Sequence, residues 1–493
     1  MPAAGPMVEG SEGARAVTQA VPGLPAELVA ELRGALDDLA LLTEPEHVAP
    51  YLTDFWHLST GSSPLVARPA DPAGVQAVVR ACRRHRVPIV TQSGNTGLVG
   101  GNIPDSSGRQ LVLNLERLNR IRSVSPSGDH LVAEAGCVLA EVQAAAERID
   151  RLFPLSLGAE GSCRIGGNVA TNAGGINVLR YGMTRRLVLG LEVVLADGTL
   201  WNGLRALPKD NTGYDLKQVF IGSEGTLGIV TAATLALSPR PRERHDLWLA
   251  VATPAAAVEL LQLFRSRLGD TISAFELIAD PGVEAAEAAF GIRLVEGRHP
   301  WHVLATVAWS FPDGLMAHVE AVLEAAMEQG LVLDGTIAQN DAQRAQMWQV
   351  REGQSEAMTR TGSVWRSDVA VATDRIPELI ERCEAILPRV RPGIVLFPFG
   401  HLGDGNLHVN VLARAPDRLG PEDRTRLQDA LFDIVAAMDG SFSAEHGIGR
   451  WKRGALDRLK DPVERLLMAR LKRALDPDGI LNPGVITDPE LVP

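Results

Sequence analysis

Over residues 22–45, Leu24, Leu28, Val29, Leu32, Leu36 and Leu39 recur every three to four positions and fall on one face, which predicts an amphipathic helix. Helical spacing returns over 74–86 (GVQAVVRACRRHR) and 138–148. Between them lie runs too short for helices. Residues 88–91, 111–115 and 130–134 are rich in Val, Ile and Leu and read as strands. Residues 191–196 form another strand, closed by the hairpin signal Asp197-Gly198.

The run Ser238-Pro239-Arg240-Pro241 breaks the pattern and predicts a linker. Past it the alternation restarts, with a strand at 247–252, a helix at 254–267, a strand at 302–309 and a helix at 316–329. Such units suit a second domain built on an open sheet with helices on one face. Helical spacing returns at 462–474 before a Pro/Gly-rich close. Four parts are therefore expected: an N-terminal extension with its helix (1–44), a first domain (45–242), a second (243–440) and a helical C-terminal segment (441–493).

The 493 residues exceed one ordinary core, since single cores stop growing at about 250–300 residues. The formal net charge of −12 carries no basic stripe of the kind nucleic acid demands. Arg83-Arg84-His85-Arg86 comes nearest, and it ends a predicted helix, where cations favour the dipole. Nucleic acid is excluded as a partner. The four cysteines, Cys82, Cys137, Cys163 and Cys383, are scattered without cluster spacing, which fits a reducing compartment. No apolar run reaches the roughly 18 residues of a membrane span. Met1 to Val21 lacks a basic region followed by an apolar core, so it reads as an Ala/Gly/Pro-rich extension rather than a secretory signal. A cytoplasmic location is expected.

Chemistry enters with three glycine-rich segments. The first contains Gln92, Ser93, Gly94, Asn95, Thr96, Gly97 and Gly100. The second contains Gly158, Ser162, Gly166, Gly167 and Asn168, and runs on through Thr171, Asn172, Gly174 and Gly175. The third contains Glu224 and Gly225 and leads to Ile229. Glycine lets the backbone approach a ligand, and successive N–H groups form anion-binding nests. Any one loop could be a tight turn; three so close together suit a diphosphate and its attached rings. None is a G-x-G-x-x-G opening a helix with an acidic residue about 20 positions on, and no Walker loop occurs.

Segments 88–102, 158–182 and 221–230 resemble the FAD-binding domain of flavoenzymes of the vanillyl-alcohol oxidase type. The resemblance implies two α/β subdomains around an extended FAD, with its diphosphate on the first glycine loop. Some members attach flavin through a His in a Ser-Gly-Gly-His context. Here the stretch reads Ser93-Gly94-Asn95-Thr96, so FAD is expected to be non-covalent.

Downstream, residues 400–410 read GHLGDGNLHVN and residues 443–449 read SAEHGIG. His401 and His408 are seven apart, which on one regular strand puts them on opposite faces. The turn Gly403–Asn406 removes that constraint. His408 and Asn410 share a face of a predicted strand, and Glu445-His446 sits in a predicted loop. Two histidines and a carboxylate suit a divalent metal: Zn²⁺ fits these ligands, with Mn²⁺ and Fe²⁺ open. A lone histidine is usually a core residue, but three of the 11 fall in these two segments.

Both segments, with the closing LDPDGILNPG, resemble FAD-linked D-2-hydroxy-acid dehydrogenases, the group acting on D-lactate, glycolate and D-2-hydroxyglutarate. The resemblance covers roughly residues 45–490. It implies an α+β fold: the two-subdomain FAD-binding domain, an α+β substrate (cap) domain with an antiparallel sheet, and the helical C-terminal segment completing the site. By position, His401, His408 and Glu445 are the implied metal ligands and His446 the catalytic base. Asn410 is implied to hydrogen-bond substrate or flavin, and Arg351, Ser355 and Arg366 to bind carboxylate. The last two stand where D-2-hydroxyglutarate dehydrogenases carry Thr and Lys. Arginine grips carboxylate bidentately and lysine does not.

The implied chemistry is chelation of a small D-2-hydroxy acid through its hydroxyl and carboxylate. His446 takes the hydroxyl proton, and hydride passes from C2 to flavin N5. Two arginines favour D-2-hydroxyglutarate; D-lactate or glycolate is the alternative. A non-catalytic FAD-binding subunit of a larger oxidase is the reading from another class. The family implies an electron-transfer flavoprotein or quinone as electron acceptor. A homodimer is one assembly the family allows, and the sequence does not give the oligomeric state.

Overall fold

A computed structural model describes residues 23–487, so the extension Met1–Val21 lies outside the described residues. Its first sheet orders the strands Leu41–Leu42, Val66–Ala67, Leu111–Asn114 and Ile89–Gln92, the last three mutually parallel. The helix Pro72–His85 packs on it through Val75, Val78, Val79 and Cys82. Asp71 caps its first turn by accepting from the N–H of Gly74, and Arg86 closes it in the left-handed region at φ 54°.

The second sheet is antiparallel, ordered Ile121–Ser125, His130–Glu134, Ile229–Ala236, Val188–Val194 and Leu200–Gly203. The hairpin expected at Asp197-Gly198 is present, with Val194 paired to Leu200. The two sheets are separate; the first glycine loop follows the strand Ile89–Gln92 of one, and the third leads into the strand Ile229–Ala236 of the other.

The predicted linker is partly strand: Ser238–Pro239 pairs Arg151–Leu152. The strand Glu243–Val251 then enters an eight-stranded antiparallel sheet that also holds Ile272–Ala279, Trp301–Trp309, Ile394–His401 and Asn406–Arg414.

Helices cover both faces of this sheet, not one. Pro254–Leu268, Leu315–Glu328, Ile376–Val390 and Pro421–Ala436 pack on one face. Asp280–Phe290, Asp341–Glu352 and Gln354–Thr361 pack on the other. The reason is visible in Trp301–Trp309, buried at eight consecutive positions, which alternation with solvent on one side does not permit.

The first helix is also shorter than its periodicity suggests. It runs Ala26–Ala35, after which Leu36 turns extended and Leu39 is exposed.

The C-terminal helix Pro462–Leu475 returns the chain to the first domain. Lys472, buried, donates through Nζ to the carbonyls of Thr226 and Leu481 and to Asp476 Oδ2. Leu481 then bridges Ile89 in parallel. All four cysteines are buried and free. Among the described residues, no helix is long and apolar enough to cross a membrane.

Candidate active site

The three glycine loops wall a cavity of about 500 Å³. They are stitched to one another. A Cβ at Gly94 would lie 2.6 Å from the Ser162 carbonyl oxygen and 2.9 Å from Cys163 Cα, so the first loop touches the second where only glycine fits. The N–H groups of Gly222 and Glu224 donate to the carbonyls of Val169 and Ala170, which ties the third loop to the second.

Of the residues expected at the cofactor, Ser93, Gly94, Asn95, Thr96, Gly97, Gly158, Gly166, Gly167, Asn168, Thr171, Gly174, Glu224, Gly225 and Ile229 line the cavity. Five expected there do not. Gln92 is buried behind it, donating to Asn95 Oδ1 and to the carbonyls of Tyr51 and Asn102, so it holds the loop's shape. Gly100 gives room to the Trp451 indole, and Gly175 to the Ser156 carbonyl. Asn172 accepts from the Arg185 N–H, and Ser162 bonds back to Ala159.

The cavity suits FAD on its own terms. Among the described residues, Thr91 Oγ1 is buried without a hydrogen-bond partner, and Thr91 lines the cavity. Such groups are costly unless a ligand completes them.

The C-terminal loop carries Glu445 and His446 to the same cavity. Both oxygens of Glu224 accept from this loop, from the N–H groups of Ile448 and Gly449, at 2.8 Å each. Burial raises the Glu224 pKa against those two bonds. Glu224 therefore clamps the loop rather than reaching outward. The N–H groups of Arg450 and Trp451 donate to Val99 of the first glycine loop.

His401 and His408 approach from the eight-stranded sheet. Their strands form a hairpin around the expected turn, with Phe399 opposite His408 and His401 opposite Asn406. His401 shares a face with Phe399, so it is a diagonal neighbour of His408. The odd spacing thus brings the rings to one face, 6.0 Å apart between centroids.

Ligand atoms of His401, His408 and Glu445 lie within 4.8 Å of one another. His408 Nδ1 donates to the Ser367 carbonyl at 3.1 Å, which leaves Nε2 toward Glu445, 3.8 Å away. Burial drives the His408 pKa down to about 4, so it is neutral and able to ligate near pH 7. His401 Nδ1 donates to Glu276 at 2.7 Å. Burial opposes charge there, but the Glu276 carboxylate prevails and lifts the His401 pKa to about 9. A metal at Nε2 therefore has a proton to displace. Two imidazoles with oriented Nε2 atoms and one carboxylate fit a divalent cation.

Two buried carboxylates, outside the motifs of the sequence, complete the site. Asp368 accepts the N–H groups of Ala444, Glu445 and His446 at 3.0, 3.1 and 3.0 Å. It also takes Asn406 Nδ2 at 3.0 Å and lies 3.7 Å from Lys452 Nζ. Burial would raise its pKa, but the neighbouring His446, Lys452 and His408 hold it well below the usual carboxylate range. The other is Glu276, on the strand Ile272–Ala279 directly opposite His401. Each stands alone in an apolar or extended run, which is a sequence signal for a paired buried acid.

The expected carboxylate-binding residues lie in two places. Arg351 is buried beside His401, its Nε on Glu276 and its guanidinium over Phe399. Ser355 lines the cavity and accepts from Arg366 Nε at 3.2 Å. Arg366 also stacks over Trp56, a cavity residue that sequence reasoning did not select. Asn410 Oδ1 accepts the Ser367 N–H, so it holds that segment with one end of its amide.

Two family models match the chain: FAD binding domain over residues 63–203, and FAD linked oxidases, C-terminal domain, over residues 240–486. The chain is 39% identical over 471 residues to a Bos taurus protein named D-2-hydroxyglutarate dehydrogenase, mitochondrial, covering 93% of this chain and 84% of that one. It is 38% identical over 460 residues to a Xanthomonas citri pv. viticola D-2-hydroxyglutarate dehydrogenase, covering 92% and 96%. The structure of p-cresol methylhydroxylase superposes with a TM-score of 0.71 over 94% of this chain and 97% of that one, at 19% identity. That likeness shows the fold, which is the vanillyl-alcohol oxidase type expected from the glycine loops.

Proposed function

Because the chain belongs to the FAD-linked D-2-hydroxy-acid dehydrogenases, we propose that it oxidises D-2-hydroxyglutarate in preference to D-lactate or glycolate, with FAD held non-covalently and a divalent metal at His401, His408 and Glu445. The observation that carries the preference is the pair of guanidinium groups. Arg351, on the helix Asp341–Glu352, shares Glu276 with His401, and Arg366 donates to Ser355 and stacks over Trp56, both of which line the cavity. A dicarboxylate reaches both; a monocarboxylate leaves Arg366, which has no carboxylate partner among the described residues, without an anion, whereas Arg351 keeps Glu276.

When bound, FAD supplies the two-electron acceptor and the metal supplies Lewis acidity toward the substrate's oxygens. The chain's own residues do the rest. His446, held by the loop that Asp368 and Glu224 clamp, takes the hydroxyl proton. Among the described residues no hydrogen bond occupies Arg351 Nη1 or Nη2, and these grip a substrate carboxylate. Ser355 and Arg366 receive the far carboxylate. Zn²⁺ is the metal that best matches two imidazoles and a carboxylate. An electron-transfer flavoprotein or a quinone then reoxidises the enzyme.

Steady-state kinetics of R366M against both acids test the preference. Losing a charge-assisted bond is expected to lower kcat/KM for D-2-hydroxyglutarate by roughly 10–100-fold, or about 1.5–3 kcal/mol, and to leave D-lactate within about threefold. Equal losses on both acids contradict the assignment.

A further inference from the structure

Glu276 joins two groups with different tasks. Its strand pairs with the hairpin strand so that Glu276 stands opposite His401, and the carboxylate is almost wholly buried. One oxygen, Oε1, accepts from His401 Nδ1 at 2.7 Å; the other, Oε2, accepts from Arg351 Nε at 2.6 Å. The Arg351 guanidinium also lies 4.9 Å over the Phe399 ring, and Phe399 packs at 5.2 Å against His408. Arg351 is therefore fixed on two sides, by a carboxylate and by a ring that touches the second imidazole.

We infer that Glu276 is the positioning residue that sets the His401 tautomer and the reach of Arg351 together, so that metal binding and substrate-carboxylate binding depend on one side chain. This rests on the functional reading above. The chemistry is specific to a carboxylate. An ionised Glu offers acceptors on both oxygens, and both partners here are donors. With Nδ1–H committed to Oε1, the only His401 nitrogen that can give up its proton to a metal and present a lone pair is Nε2, on the side of His408 and Glu445. A glutamine has one acceptor oxygen and one NH₂. Turned one way, its NH₂ meets the Arg351 N–H and releases the arginine. Turned the other way, its NH₂ donates to His401 Nδ1, which puts the ring proton on Nε2 and blocks ligation. Either orientation disables one of the two functions.

The test uses the full-length flavoprotein and its E276Q and E276D variants. Zn²⁺ affinity is measured by competition with a chromophoric chelator, flavin content by absorbance, and KM and kcat with D-2-hydroxyglutarate. E276Q is expected to keep its flavin and, according to which way its amide turns, either to bind Zn²⁺ about 10–100-fold more weakly or to show a KM raised about tenfold or more at saturating Zn²⁺. E276D keeps the charge but falls one methylene short, so it moves the same way by less; it decides the matter if E276Q does not fold. A merely structural role lowers thermal stability and leaves the Zn²⁺ affinity and KM of the folded variant unchanged, and that result overturns the inference. Wild-type protein that binds no Zn²⁺ overturns the metal half of the functional reading and this inference with it. Wild-type binding with unaltered variants overturns the inference alone.

Discussion

Asp368 Oδ2 lies 3.7 Å from His446 Nδ1 and accepts the backbone N–H of the same residue at 3.0 Å. One buried oxygen thus fixes where the proposed base sits and faces its ring. Asparagine at this position keeps the shape, loses the charge, and cannot serve all of the donors. D368N is expected to lower kcat about 10–100-fold with flavin content unchanged. Turnover at the wild-type rate contradicts this role.

Gly94 marks the contact between the first two glycine loops. In G94A the new methyl would meet the Ser162 carbonyl and Cys163 Cα, both backbone, so the loops must part. Overpacking of this kind costs roughly 1–3 kcal/mol, which corresponds to FAD affinity weaker by about fivefold to 100-fold. Equilibrium dialysis of the variant against FAD measures it; wild-type affinity would show that the loops yield freely.

Glu243 governs acid stability far from the active site. It accepts from the N–H groups of Leu315 and Met316 at the start of the helix Leu315–Glu328, from Trp309 Nε1 and from His245. Burial works against the charge, but these donors prevail and hold its pKa at about 2. A carboxyl depressed in the folded state stabilises above its unfolded pKa, and that contribution fades as pH falls through the folded value. Wild type is therefore expected to exceed E243Q in stability at pH 6, with the gap closing between about pH 4.5 and 2. Denaturant titrations across that range check it. A gap that persists unchanged at the acid end contradicts the assignment.

Lys472 welds the C-terminal helix to the third glycine loop. K472M leaves the buried Asp476 carboxylate without its cation and the Thr226 and Leu481 carbonyls without a donor. Breaking a buried pair from one side costs about 3–5 kcal/mol, and removing the second charge in K472M/D476N returns part of it. Urea unfolding of the single and double variants reads this out; equal stability of K472M and wild type would mean that the weld contributes nothing.

Much of this was legible in the chain. Glycine loops announce themselves because their role is local: the backbone must bend and come close, and only glycine permits it. The His401–His408 turn was legible for the same reason. What spacing could not show was partnership across the sheet. Glu276 lies 125 residues from His401, and Asp368 lies 78 from His446. Only strand order and loop docking join them. The same limit explains the helices on the second sheet face, since Asp341–Glu352 and Gln354–Thr361 are rich in polar residues and bury only a few side chains each. Gln92 and Asn172 looked like ligand donors by composition, yet their side chains are spent holding the loops in shape.

The proposed activity is oxidation of a D-2-hydroxy acid at a flavin beside a metal held by His401, His408 and Glu445. The most direct measurement is the absorbance of the purified flavoprotein during anaerobic addition of D-2-hydroxyglutarate, before and after treatment with a chelator. The flavin band is expected to bleach, the L-enantiomer to leave it unchanged, and chelation to abolish the bleaching until Zn²⁺ is restored. A flavin band that D-2-hydroxyglutarate does not bleach, or bleaching that is indifferent to chelation, would contradict it.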